Sequence, residues 1–198
     1  TLYLDYMTWD GAPNITLNRP YERNYNRATR TKGATMWKKT WINGLDTRER
    51  LTELDFWPET YRLIQNVGRG LFMHGTRDWT DYQVTATMTP HMCNAGGLGV
   101  HVQGMKRYYA LLVSNDKTQI VSTLEGKDTV LAEVDGGWEF GREYTLSVKV
   151  EGNTLTGYID GKQVIEASDP DHRFTGGGIA LIAEVGRIGV EHVEVSPI

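Results

Sequence analysis

The chain of 198 residues holds a single cysteine, Cys93, so no internal disulfide can form and stability must come from core burial. It has no apolar run of membrane-spanning length and no visible signal peptide. Positive charge is not in excess: 21 Lys and Arg against 25 Asp and Glu leave a net charge of -4. That excludes a general attraction to phosphate backbones or anionic lipid, although local basic patches remain open. Nucleic acid and membrane are therefore not expected partners. Catalytic signatures are also missing, with no HExxH, CxxC, GxSxG or Walker loop. Gly68, Gly70 and Gly75 lack dinucleotide spacing, and no repeat or low-complexity segment occurs. The start at Thr1 is what a processed protein or an excised domain would show, and the sequon Asn14-Ile15-Thr16 is too short a motif to carry weight.

What is present is alternation. From Gly136 to Ala167, Tyr144, Leu146, Val148 and Val150 share one parity while Thr145, Ser147, Lys149 and Glu151 share the other, the period of a strand with one buried face. Gly152-Asn153 ends that strand. Asp160-Gly161, a pair suited to the positive φ angles of a tight hairpin, ends the next, and Val164 and Ile165 begin a third. The run predicts an antiparallel meander.

The same texture continues from about Thr60 onward. Strands are predicted at Tyr61 to Asn66, Leu71 to His74, Tyr82 to Thr89, Gly97 to Gln103, Tyr108 to Ser114, Thr118 to Leu124, Thr129 to Glu133, Tyr144 to Glu151, Thr154 to Asp160, Gln163 to Ala167, Gly178 to Glu184 and Gly189 to Val195. So many short strands need two packed sheets. The first third differs: after a strand at Leu2 to Met7 come long loops rich in tryptophan, with helical spacing only at Leu45 to Leu54. The expectation is an all-β protein, one domain over 1–198, in which a loop-rich segment 1–60 wraps an antiparallel two-sheet sandwich.

The order WTDYQVTATM, GGLGVHVQGMKRYYALLV, WEFGREYTLSVKV with NTLTGYIDGKQV, and GGGIALIAEVGRIGVEHVEV resembles the concanavalin A-like jelly-roll sandwich of laminin-G-type and carbohydrate-binding modules. It is also similar to the domain family of 3-keto-disaccharide hydrolases. TLYLDYMTWDGAPNITLNRP and WPETYRLIQNVGRG resemble a β-sandwich domain at the C-terminal end of bacterial ADP-ribosylglycohydrolase-family proteins. The likeness covers nearly the whole chain and specifies fold better than ligand. It implies sugar recognition on a sheet face or its edge loops, in a soluble bacterial protein, secreted or cytoplasmic.

A sugar site combines an aromatic surface with amide, guanidinium or carboxylate groups that bond hydroxyls. His101 and Gln103 share a parity and form the best polar stripe in the chain. Arg107 and Tyr109 share one on the following strand. Glu184 and Arg187 flank a turn at Val185-Gly186. Trp37 and Trp41 share a face whether Thr35 to Ile42 is strand or helix, and form a candidate stacking platform beside Lys38 and Lys39. Each has a plainer alternative: a solvated outer face for His101 and Gln103, a surface arginine beside two tyrosines, a salt-bridged turn, and core anchors for the tryptophans. Trp79 and Trp138 read as core packing.

Asp169-Pro170-Asp171-His172 is an acidic loop of the kind that ligates calcium, with an Asx turn as the competing reading. The resemblance adds a structural calcium as an option; no cofactor is required. Glu133, Glu139 and Glu184 are available acids, but nothing in their spacing makes them converge. The function expected is a noncatalytic carbohydrate-binding module beside a linked catalytic domain. The alternatives are a glycoside-processing enzyme similar to the 3-keto-disaccharide hydrolases, with Glu184 or another acid as general base and His101 as helper, and a structural accessory domain of an ADP-ribosylglycohydrolase-like enzyme.

Overall fold

The computed structural model describes residues 6–9, 15–18, 41–50 and 61–198. The chain divides into two compact units, Thr1–Thr40 and Trp41–Ile198. In the first, β1 (Tyr6–Trp9) and β2 (Ile15–Asn18) pair antiparallel, with Tyr6 opposite Asn18 and Trp9 opposite Ile15. The predicted wrapping of 1–60 falls mainly on residues outside those described. The second unit holds β3 (Ile42–Gly44), β4 (Thr47–Arg50), β5 (Tyr61–His74), β6 (Tyr82–Gly104), β7 (Arg107–Val113), β8 (Lys117–Leu124), β9 (Lys127–Asp135), β10 (Tyr144–Glu151), β11 (Thr154–Ile159), β12 (Lys162–Ser168) and β13 (Gly178–Pro197). Among the described residues no helix is long and apolar enough to cross a membrane.

Local sequence chemistry explains the hairpins. Asp160 and Gly161, at φ of 51° and 76°, make the two-residue connection of β11 to β12 that the Asp-Gly pair predicts. Gly152 and Asn153 make the two-residue connection of β10 to β11, with positive φ at Gly152 alone. The helical spacing read at Leu45 to Leu54 is corrected over Thr47–Arg50, which form β4 opposite Tyr61–Ile64 because a free edge of β5 pairs with them. Residues 51–54 lie outside the described set.

Three strands are much longer than predicted. Tyr61 to Asn66 and Leu71 to His74 are one strand, β5; Tyr82 to Thr89 and Gly97 to Gln103 are one strand, β6; Gly178 to Glu184 and Gly189 to Val195 are one strand, β13. Each serves two halves of the sheet. Tyr82–Met88 of β6 pairs with β10, while Gly96–Val100 of the same strand pairs with β7. Along β13, Ile179–Glu184 pairs with Arg69–His74 of β5, and Gly186–Val190 pairs with Tyr61–Gln65. Between the halves the alternation breaks: Val185 takes φ 35°, Gly186 takes φ 135°, and the register slips between Glu184 and Gly186. A side chain at 186 would collide with the carbonyl oxygen of Met92, so glycine is required there. Val185-Gly186 is therefore a bulge within a continuous strand, not the turn expected.

The halves face one another across the main core. Tyr82, Val84, Ala86 and Met88 of β6 align with Tyr144, Leu146, Val148 and Val150 of β10, all buried. Opposite them lie Leu98 and Val100 of β6 and Tyr109, Leu111 and Val113 of β7. Gly157 of β11 marks the contact: a Cβ there would stand 2.7 Å from Leu111 Cδ1 and 2.8 Å from Ile165 Cγ2. A second buried cluster, Leu71, Val102, Tyr108, Ala110, Leu112, Val121, Ala180 and Ile182 with Met73, occupies the other face of the β5–β13–β6–β7–β8 half. That half is apolar on both faces. Its strands consequently read as near-continuous hydrophobic runs.

Leu111 fills the space Gly157 leaves, and its removal cannot be closed by small shifts. Leu111→Ala is expected to destabilise the protein by about 2–5 kcal/mol in chemical denaturation. A loss below about 1 kcal/mol would show that the two halves are not sealed at this point.

Candidate functional site

The polar stripe expected at His101 and Gln103 is not a solvated surface. His101 is 1% exposed and sits at φ 47° where the β6–β7 and β6–β13 registers slip, so parity counted through this position inverts. Its Nδ1 lies 2.8 Å from the carbonyl oxygen of Phe174 and its Nε2 lies 2.6 Å from that of Thr80. Its backbone N–H donates to Tyr82 Oη, whose own hydroxyl faces the carbonyls of Gly177 and Gly178. The half-buried Gln103 donates from Nε2 to Gly176 O. Both side chains tie β6 to the segment ahead of β13, and both ring nitrogens of His101 are taken by backbone carbonyls.

Tyr109 is likewise a core residue. Its hydroxyl donates to Asp169 Oδ2 at 2.6 Å and accepts from the Phe174 N–H. Arg107 is exposed, with its guanidinium 5.5 Å from the centre of the Phe174 ring. Rings continue from Phe174 through Tyr109, His101, Tyr82, Trp79 and His74 to Trp41, each within 6.1 Å of the next. Trp41 is 7% exposed and stacked on Phe72 at 4.7 Å, which corrects its reading as a sugar platform. Trp37 lies outside the described residues. Trp138 is buried, as predicted, and Trp79 half-buried.

The acidic loop is closed on itself. Asp169, fully buried, accepts hydrogen bonds from Tyr109 Oη, from the Asp171 N–H at 3.1 Å and from the Arg173 N–H at 3.1 Å. Asp171 pairs with Arg173 at 2.6 Å. The Asx turn therefore takes the oxygens that a calcium would need, and no group of three or more His, Cys, Asp or Glu is poised for a metal among the described residues. Burial alone would raise the Asp169 carboxyl; the bonds from Tyr109 and the two amides, with the nearby Arg173 charge, outweigh it and hold the group below its ordinary value. Cys93 is buried, and its thiol is pushed up to about 12 by that burial, which makes it a poor nucleophile.

Glu184 and Arg187 do not pair. Arg187 is exposed opposite Met92; burial, together with the charges of Arg187 and Arg62, lowers the His91 imidazole. Glu184 stands directly across the β5–β13 ladder from Arg69. There Arg69 Nε and Nη2 both donate to Glu184 Oε2, at 3.1 and 3.0 Å. Nη1 donates to Tyr108 Oη at 3.2 Å and pairs with Asp128 Oδ2 at 2.8 Å. Asp128, one residue into β9, also accepts from Thr123 Oγ1. The side chains of Arg69, Glu184 and Asp128 are 18%, 31% and 34% exposed, so the cluster lies at the margin between the second apolar cluster and solvent. Burial opposes the Arg69 charge, and Tyr108, Asp128 and Glu184 more than compensate.

Of this cluster only Glu184 was singled out from the sequence. Arg69 carried a readable signal, as the one charged residue in the stretch Val67 to Met73. Asp128 and Tyr108 carried none, because their meeting depends on the twist of four strands. His101 and Glu184, paired in the enzymatic alternative, are not brought together: the first is bonded to backbone carbonyls and the second to Arg69. Glu133 is engaged elsewhere, by Lys117.

No protein-family model and no curated protein matches this chain. Solved structures do match. The carbohydrate binding module CBM66 from Bacillus subtilis is similar with a TM-score of 0.69 at 19% identity, over 79% of this chain and 95% of that one. The fold is an antiparallel jelly-roll β-sandwich. An alginate lyase of polysaccharide lyase family 7 matches with a TM-score of 0.55 at 12% identity, over 79% of this chain and 94% of its own. The galectin LEC-6 of Caenorhabditis elegans matches with a TM-score of 0.50 at 11% identity, over 80% and 96%. At such identities the likeness is one of fold. None of these structures bears on the predicted link to ADP-ribosylglycohydrolases.

Two outcomes are expected. A carboxyl held below its ordinary value of 3.8 contributes stability that is present above that pH and lost as pH falls through the folded value. Urea melts of wild type should weaken on acidification below about pH 4, and Asp169→Asn should flatten that limb; an unchanged acid limb contradicts the role given to Asp169. His101→Ala should lower stability by about 2 kcal/mol, since the ring's hydrogen bond to a backbone carbonyl is lost and a buried side chain is removed. A variant as stable as wild type would mean that His101 is not a structural tie.

Proposed function

We propose that this protein is a noncatalytic carbohydrate-binding module that holds a glycan at the Arg69–Glu184–Asp128 cluster, presenting it to a linked catalytic domain. The observation that carries the reading is a donor beside an acceptor. Arg69 Nη2 gives only one hydrogen to Glu184 Oε2, and Glu184 Oε1 accepts none from a described residue. A guanidinium N–H next to a carboxylate oxygen matches the two hydroxyls of a vicinal diol, one accepting and one donating. Tyr108 and Asp128 fix the guanidinium so that little side-chain freedom is lost on binding. The shared fold of the Bacillus subtilis carbohydrate binding module supports the same reading. The glycoside-processing alternative has less to rest on. Glu184 is ion-paired to Arg69, and His101, its helper in that reading, is bonded to backbone carbonyls elsewhere.

A glycan array followed by calorimetry on each hit tests this. Arg69→Met should weaken binding of every hit at least about tenfold, a loss of about 1.4 kcal/mol. Asp128→Asn, on the solvent side of the cluster, should weaken it as well while changing stability by no more than about 1 kcal/mol. Wild-type protein that binds no glycan sinks the reading.

A further inference from the structure

The charge and donor count of the Arg69 cluster point to a ligand class. We infer that the site takes neutral glycans and rejects uronates, an inference that rests on the cluster being the glycan site. A sugar carboxylate is recognised by two parallel N–H groups on one edge of a guanidinium. The Nε and Nη2 edge of Arg69 is closed by Glu184 Oε2, while Nη1 donates to Tyr108 and stands 2.8 Å from Asp128 Oδ2. A sugar carboxylate at the remaining edge would therefore lie beside the Asp128 carboxylate that Nη1 already pairs with, whereas a hydroxyl needs only the second Nη2 hydrogen. The two carboxylates around the single guanidinium also leave the site one negative charge in excess, which repels an anionic ring placed between them. Neutral hydroxyls escape this repulsion. They use the Nη2 donor and the Glu184 Oε1 acceptor as they stand.

The test is the same full-length protein on an array that carries neutral glycans and uronates, including pairs that differ only at C6, hydroxymethyl against carboxylate, such as β-1,4-mannotetraose and the β-1,4-mannuronate tetramer. Hits should be confined to neutral glycans, with any uronate counterpart at least tenfold weaker by calorimetry. Glu184→Gln removes one negative charge and should narrow the ratio between neutral and uronate ligands, and added salt should narrow it in wild type. Uronates that bind as tightly as neutral glycans, or a ratio unmoved by Glu184→Gln, overturn the inference while the module reading stands. No binding to any glycan overturns both.

Discussion

The structure depends on one constraint: β5, β6 and β13 each belong to both halves of the sandwich. On β5 and β13 the alternation is broken between the halves, whereas on β6 the core-facing Tyr82, Val84, Ala86, Met88, Leu98 and Val100 keep one parity. The breaks fall at Val185-Gly186 on β13 and at Gly68 with φ 67° on β5. Arg69 follows the β5 break directly and Glu184 precedes the β13 break directly. The bend thus sets the two residues across from one another, outside the main core. Beyond the bend, both faces of the sheet are apolar and leave no room for such a pair.

Much of this architecture was legible in the chain. Alternation over Tyr144 to Val150 and the Asp160-Gly161 turn located β10, β11 and β12 nearly to the residue, because hairpins are encoded by neighbours in sequence. Trp138 read correctly as an anchor since its surroundings are local. The failures share a cause. At His101 a left-handed residue inverts the parity of the strand, so a buried tie has the sequence pattern of a surface stripe. Thr47–Arg50 carried helical spacing, yet an edge of β5 was available to pair with it. The Arg69–Glu184 pair spans 115 positions, a separation at which no local pattern gives information.

The polar groups inside the sandwich illustrate why residue type alone is a weak guide to function. His101, Tyr82, Tyr109 and Asp169 would look, as a set, like acid-base machinery. Each is saturated by backbone partners or by another member of the set, and together they fasten the segment Asp169–Gly178 onto β6 and β7. Buried polar groups are satisfied in this manner wherever they serve the fold. The Arg69 cluster differs in that Glu184 Oε1 accepts no hydrogen bond from a described residue. The related solved structures include a binding module and a lyase on the same scaffold, so such leftover groups, and not the jelly roll itself, distinguish one protein from another.

The position of β13 has a consequence for how the sandwich is made. It is the last strand of the sandwich, yet it lies between β5 and β6 in the middle of the sheet, pairing with both. The hairpins formed by β7 to β12 can assemble as soon as they are synthesised, whereas β5 and β6 stand as separated edges until the strand between them arrives. Closure is therefore a late and non-local event, the kind that slows folding and prolongs the exposure of apolar strand edges. During that interval the chain is most open to pairing with another copy of itself.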